Sequence, residues 1–372
     1  MIKTKKYTSK FIIFLITVIL SCTSSTEEDV ILDNSPPIIS GLKINAFRFN
    51  ANIEFQINDY FSEKIFVDIY LDSDLITSIE KDIGNDNIME HTIINLEENS
   101  SYSLEIIVTD ESNNASTPIS TNFSTNGSVF KGNLEFKTQT EVDEFGMFQY
   151  EVINGNLEIE IGCLCDDKIS NLTSLNDLRI VNGNTSISSQ SLLFSEPFNG
   201  LSNIERIDGS LYIGLMNPSS LLINLTTLGG NLTLYNLSQN EEPLLPNLIR
   251  TKGLTISDLI NIENFKGLNS LKIIDGSLII SSSKIQNLDF LQSLTIVNSF
   301  MYIELNDKLV NLNGFQSLST VSGNISISVN DSLSDFCGLT NLINNDFNND
   351  WVVNNNAYNP SITDIELENC SL

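Results

Sequence analysis

The sequence predicts a mainly β protein, with a β-sandwich over residues 36–126 followed by a parallel β-solenoid over residues 127–372. Three observations point there. Residues 36–125 carry period-two apolar alternation broken by turn residues at about every tenth position, the pattern of half-buried antiparallel strands. Beyond Gly127 one motif, apolar-x-Gly-x-apolar-x-apolar, recurs with its glycine slot at 155, 183, 209, 230, 252, 276, 299 and 323, a repeat in the twenties. Finally, 41% hydrophobic residues and a mean hydropathy of +0.02 are too apolar for a disordered acidic chain.

Charge narrows the function. Nineteen Lys+Arg against 47 Asp+Glu leave a net charge of −28 over 372 residues. Such a surface repels phosphate backbones and anionic lipid heads, which excludes nucleic-acid partners and electrostatic docking on membranes. The single histidine, His91, and the single tryptophan, Trp351, argue against His-based catalysis and multi-His metal centres. No cofactor is expected.

Residues 1–21 read as a signal peptide. Lys3, Lys5, Lys6 and Lys10 lead into the apolar run at 11–20, which is too short to cross a bilayer core of roughly 30 Å as a helix. Ile19-Leu20-Ser21-Cys22 resembles the bacterial lipobox. The resemblance implies cleavage before Cys22 and acylation of that cysteine, a durable anchor at roughly 0.8 kcal/mol per buried methylene. Membrane contact is therefore expected through this lipid only. The tether at 22–35 turns acidic at Glu27-Glu28-Asp29 and resembles the export signals of Bacteroidota surface lipoproteins. That implies an outer-membrane anchor facing the cell exterior, with a periplasm-facing anchor as the other reading.

In the sandwich, Ile53, Phe55 and Ile57 share one face of a strand, and Ile65, Val67, Ile69 and Leu71 line a face of the next. Leu96, then Tyr102, Leu104, Ile106 and Val108, resemble the late-strand signature of fibronectin type III domains. The family's early tryptophan is missing, with Phe55 or Ile57 expected in its volume, and a generic immunoglobulin-like sandwich is the alternative. Either version implies a spacer without chemistry. His91 is expected near a strand end as a polar surface residue.

The repeats predict a solenoid for a reason of burial. Each turn offers a strand with alternate apolar residues, such as Leu211 and Ile213, that finds shelter only against neighbouring turns. The glycine marks a place where a side chain would clash or where φ must be positive. Leu254-x-Ile256 keeps the pattern with Lys252 in the glycine slot, and Val297-x-Ser299 replaces the glycine with serine. Together with leucine-rich segments such as 172–178 and 312–318, residues 128–372 resemble the receptor L-domain branch of leucine-rich-repeat proteins, which implies a right-handed parallel β-solenoid. Residues 139–146 look like the short leading helix of its bacterial members, and 335–339, 356–360 and 369–371 look like their terminal cap. The fold is a scaffold and names no activity.

Cys337 and Cys370 flank that cap and, in an oxidising compartment, are read as a disulfide stabilising by roughly 3–4 kcal/mol. Cys163 and Cys165 leave a strained disulfide, free thiols and a soft-metal half-site open; a zinc site is not expected. Asp72-Ser73-Asp74 and Asp166-Asp167 read as solvated turns, since neither matches a full calcium-ligand spacing.

Aligning the repeats gives two outward columns. The first runs Glu158, Ser186, Tyr212, Thr233, Thr255, Ile279, Tyr302, Ser326; the second runs Glu160, Ser188, Gly214, Tyr235, Ser257, Ser281, Glu304, Ser328. Tyr212, Tyr235, Ile279 and Tyr302 are the candidate ligand-binding residues, an aromatic-apolar patch on a hydroxyl-rich face suited to an extracellular protein or glycan. The function expected is a lipid-anchored cell-surface binding or adhesion module and not an enzyme. The alternatives are a carbohydrate-active enzyme using the pair Glu158 and Glu160, or a purely structural envelope protein.

Overall fold

The computed structural model describes residues 33–59, 62–82, 87–162, 166–189, 200–215, 221–237, 243–345 and 347–372. The signal peptide, Cys22, most of the tether, Cys163 and Cys165 lie outside the described residues. The chain is mainly β, and two separate hydrophobic cores divide it.

The first core belongs to seven strands: β1 (Ile38–Ala46), β2 (Ala51–Asn58), β3 (Lys64–Leu71), β4 (Asp74–Asp82), β5 (Ile88–Ile93), β6 (Ser101–Asp110) and β7 (Ile119–Ser124). They pair antiparallel into a three-stranded sheet, β1-β2-β5, and a four-stranded sheet, β4-β3-β6-β7. The alternating faces meet as expected: Ile53, Phe55 and Ile57 pack against Ile65, Val67, Ile69, Leu104, Ile106 and Val108. Phe55 and Ile57 are both buried. Tyr102 Oη accepts a hydrogen bond from the Glu97 N–H at 2.7 Å, tying the β5–β6 connection down. Asp72 (φ 50°) and Ser73 (φ 74°) form the two-residue β3–β4 turn, whose left-handed residues match strand twist, and Asp72 Oδ1 accepts the Ser103 N–H. The Asp72-Ser73-Asp74 cluster is thus hairpin chemistry. His91 departs from expectation. It sits within β5 opposite Ile53, half-buried on the core-facing side, because β5 is an edge strand and leaves that flank of the sandwich open.

The second core is a coil of stacked turns. Its main sheet has ten parallel rungs: Leu134–Phe136, Leu157–Ile161, Thr185–Ser189, Leu211–Gly214, Asn231–Tyr235, Gly253–Ser257, Leu278–Ser281, Met301–Glu304, Ile325–Ser328 and Trp351–Asn354. All eight repeats read from the sequence fall on consecutive rungs, the second to the ninth, in the expected register. Nine steps of about 4.8 Å make the sheet roughly 43 Å long. Shorter parallel strands, from Val129–Lys131 through Thr227–Leu228 and from Arg250–Thr251 through Thr320–Val321, form five- and four-stranded sheets elsewhere on each turn. Leucines, isoleucines and valines of every turn fill the interior as one continuous cluster.

Close approach, not positive φ, explains the slot glycines. A Cβ on Gly155 would lie 2.0 Å from the Gly132 carbonyl oxygen, and one on Gly209 would lie 2.5 Å from the Gly183 carbonyl. Polar ladders hold the same edge: the N–H groups of Asn156, Asn184 and Ser210 donate to Oδ1 of Asn133, Asn156 and Asn184 one turn earlier. On the far side of the rungs, the fully buried Asn306 and Asn330 bond carbonyls and N–H groups of adjacent turns, so the polar atoms enclosed there are satisfied.

Helix α1 (Gln139–Gly146) closes the first end of the coil. Thr138 and Glu141 form a capping box at its start, and Asp167 Oδ2 accepts the Thr140 N–H, which ties Asp167 to the helix start. Phe130, Phe136, Phe145 and Tyr150 pack edge to face beneath it. Phe148 then meets Phe47 of the sandwich at 5.2 Å, while Arg48, its side chain 12% exposed, donates to Glu98, Glu151 and the Gln149 carbonyl. At the other end, helices α2 (Thr340–Asn344) and α3 (Ile362–Glu366) and the Cys337–Cys370 disulfide close the core over Phe336.

Thr185 occupies a strand position that is apolar in the other repeats. It is 1% exposed, and its Oγ1 has no hydrogen-bond partner among the described residues. Thr185→Val keeps the shape and removes the stranded hydroxyl, so it is expected to stabilise the coil by about 1 kcal/mol. Urea melts would show the midpoint move upward; an unchanged or lower midpoint would mean the hydroxyl is satisfied in solution.

Candidate recognition face

The outer face of the ten-rung sheet is built by strand alternation: Leu211 and Ile213 point inward, so Tyr212 points out. Parallel pairing then stacks the outward residues in columns. Ser186 pairs with Tyr212, Tyr212 with Thr233, Thr233 with Thr255, Thr255 with Ile279, Ile279 with Tyr302 and Tyr302 with Ser326. In the second column Tyr235 pairs with Ser257, and Ser257 with Ser281. Tyr235 and Tyr302 are 42% and 40% exposed, and Tyr212 and Ile279 are half-buried.

The four candidates do not form one patch. The sixth rung, carrying Thr255 and Ser257, separates them into two groups. In the first, the rings of Tyr212 and Tyr235 lie 6.5 Å apart and within 28° of parallel. Gly214 makes this possible: a Cβ there would lie 2.8 Å from both Cε1 and the hydroxyl of Tyr212, so the ring lies down along its own strand over the glycine. In the second group, Ile279 adjoins Tyr302, whose ring meets Phe300 edge-on at 4.9 Å. Phe300 escaped the sequence reading. The signal was present, since Phe300 stands two residues before Tyr302 in a column that elsewhere holds Asn184, Ser210, Asn231 and Asn324.

Burial, with a contribution from Tyr235, pushes the Tyr212 phenol above its ordinary value of 10.0, and burial does the same to Tyr150. The unfolded chain releases these protons first. The folded chain therefore holds more protons as pH rises past about 10, and stability falls in that window until the folded phenols ionise. Melting temperatures should fall as pH rises past about 10, and Tyr150→Phe with Tyr212→Phe should lessen the drop. An equal drop in that double variant would assign it to other groups.

Acidic groups gather in two other places. Glu135 on the first rung and Glu158 and Glu160 on the second gather near Lys137, just past the first rung, which pairs with Glu135 and lies 3.7 Å from Glu160. Glu158 and Glu160 face outward two residues apart on the second rung. In the sandwich, carboxylate oxygens of Asp33, Asp59 and Asp110 lie within 4.8 Å of one another, the described grouping that comes nearest to a cation-binding set. Asp110 is buried there and accepts both the N–H and the side-chain amide of Asn114.

No family model and no curated protein matches the chain. Among solved structures, a computationally redesigned β-sandwich protein is 25% identical with a TM-score of 0.20, covering 25% of this chain and 91% of its own. Pectate lyase Pel3 from Pectobacterium carotovorum is 12% identical with a TM-score of 0.18, covering 79% of this chain and 86% of its own. At these scores neither likeness carries an argument about fold or activity.

Proposed function

We propose that the chain is a lipid-anchored outer-membrane binding or adhesion module that displays the outer face of its ten-rung sheet to an extracellular protein or glycan. The observation that supports this best is the Tyr212–Tyr235 ring pair, with the Tyr212 ring lying over Gly214, on a surface of serine and threonine. Rings with polar tips on a rigid sheet give contact area at little cost in side-chain entropy. The anchor would be the acylated Cys22, followed by the acidic tether. The sandwich would be a spacer of the fibronectin type III kind, and the coil a solenoid of the receptor L-domain type. Arg48, bridging Glu98 and Glu151, suits a spacer that holds the coil in a set orientation.

Replacing Tyr212 and Tyr302 by serine should abolish ligand capture on an array of glycans and extracellular proteins while leaving the melting temperature within about 2 °C, because both side chains face outward. Capture that survives the double substitution would remove this face from the function.

A further inference from the structure

We infer that the ligand of the Tyr212–Tyr235 platform is an uncharged polysaccharide chain, lying across the rungs with a sugar ring seated on the two tyrosines. This rests on the outer sheet face being the recognition surface and adds the chemical class of what it binds.

Charge distribution carries the first part. The protein has a net charge of −28, and 18% of its residues are charged. Yet from the third rung to the seventh, no outward residue of the sheet is charged: the positions hold Ser, Thr, Asn, Gly, Tyr and Ile. Glu158 and Glu160 bound this corridor on one side and Glu304 on the other. An acidic polymer would be repelled at both ends by these carboxylates and by the net charge. A basic protein would find no partner within the corridor. Four steps of about 4.8 Å give a neutral strip roughly 19 Å long, enough for a short run of sugar units.

Ring geometry carries the second part. A pyranose offers an apolar C–H face and a rim of hydroxyls. The platform offers the complement: two near-parallel tyrosine rings on consecutive rungs, flanked by Ser186, Thr233, Thr255 and Ser257. Gly214 is the device that lays the Tyr212 ring flat. Any side chain at 214 would meet the far end of that ring and lift it, since the three atoms nearest an added Cβ all belong to the Tyr212 side chain. A strand is normally weakened by glycine, so a larger residue here would be tolerated or favoured by the fold. Its absence is explained by the ring it accommodates.

The experiment is affinity electrophoresis of the intact chain through gels containing a β-1,4-glucan, a β-1,4-mannan, an α-1,6-glucan, or polygalacturonate as the charged comparison. Retardation by at least one neutral polymer and none by polygalacturonate is expected. Gly214→Thr and Tyr235→Ala should each weaken that binding about tenfold or more, or by at least 1.4 kcal/mol, with Gly214→Thr melting no lower than the parent. If Tyr212 merely covers a glycine, Gly214→Thr will leave binding unchanged, and the inference fails. It also fails if no neutral polymer retards the chain or if polygalacturonate retards it more. Should a protein on the array be captured by the face, and lost with Tyr212→Ser and Tyr302→Ser, while no polysaccharide binds, the recognition face stands and only the sugar assignment falls.

Discussion

Gly314→Ala is expected to destabilise the coil by about 3 kcal/mol or more, although it adds a single methyl group. A Cβ at 314 would lie 1.8 Å from the carbonyl oxygen of Leu288 on the preceding turn, and backbone cannot rotate aside as a side chain can. Gly338 stands in the same relation to Leu312 at 1.9 Å, and Gly200 to Leu172 at 1.8 Å. In a stack whose stability is a sum of neighbour interfaces, one spoiled interface weakens the joint between turns rather than the turns themselves. Urea unfolding of the variant's coil should begin earlier and spread over a wider range of urea. Gly253→Ala is the control: its nearest neighbour is the Asn231 side-chain oxygen at 2.9 Å, which can turn away, so a change under about 1 kcal/mol is expected. Equal losses in the two variants would mean that contact between turns is looser than the structure has it.

Removing the Cys337–Cys370 disulfide should have an effect of similar size. The bond spans 33 residues with Cα atoms 4.9 Å apart, and closing such a loop stabilises by about 3–4 kcal/mol in the chain-entropy account. Around it the Phe336 N–H donates to the Cys370 carbonyl, and the Tyr358 hydroxyl donates to the Asn369 carbonyl. The bond therefore fastens the lid over Phe336 and the last turns. Replacing both cysteines by alanine should lower the melting temperature by about 10 °C. Amide exchange should quicken first in Ile325–Ser328 and Trp351–Asn354. Unaltered protection of those two rungs would show that the hydrogen bonds alone keep the cap in place.

The coil was unusually legible because its repeat ties a chemical requirement to a fixed distance along the chain. Wherever a slot glycine or its substitute was read, a rung follows, including Gly253–Ser257 after Lys252 and Met301–Glu304 after Ser299. Those two turns show that the slot can open for a side chain. The first rung carried the same motif, Phe130-x-Gly132-x-Leu134-x-Phe136, and extends the series by one. The tenth, Trp351–Asn354, has Asn349 in place of the glycine, and its side-chain amide bonds the Val321 carbonyl instead. The close approach runs to the preceding turn, so this last turn is not exempt from it, and its slot is open to a side chain as it is at Lys252 and Ser299; the first turn has no predecessor, and its Gly132 instead takes a positive φ of 134°.

The candidate site was legible in position but not in grouping. Alternation along a strand and constant register between strands are local rules, and they suffice to place Tyr212, Tyr235, Ile279 and Tyr302 on the outer face. Which rings touch depends on side-chain rotamers and on the space left by residues such as Gly214, and no periodicity encodes these. Likewise Asp33, Asp59 and Asp110 are scattered in the chain, and only the folding of the sandwich loops brings them together.

By itself, then, the sequence determined that this chain has a sandwich and a ladder of parallel turns, and which side of each strand is buried. It could do so because apolar alternation and a repeat in the twenties are short-range demands of burial, satisfied the same way in every turn. Tertiary structure alone decided the second column of glycines at 200, 267, 314 and 338, the split of the aromatic residues into two groups and the lock at Arg48. Each depends on atoms brought within a few ångströms by stacking or docking, a distance that the spacing of residues along the chain does not contain.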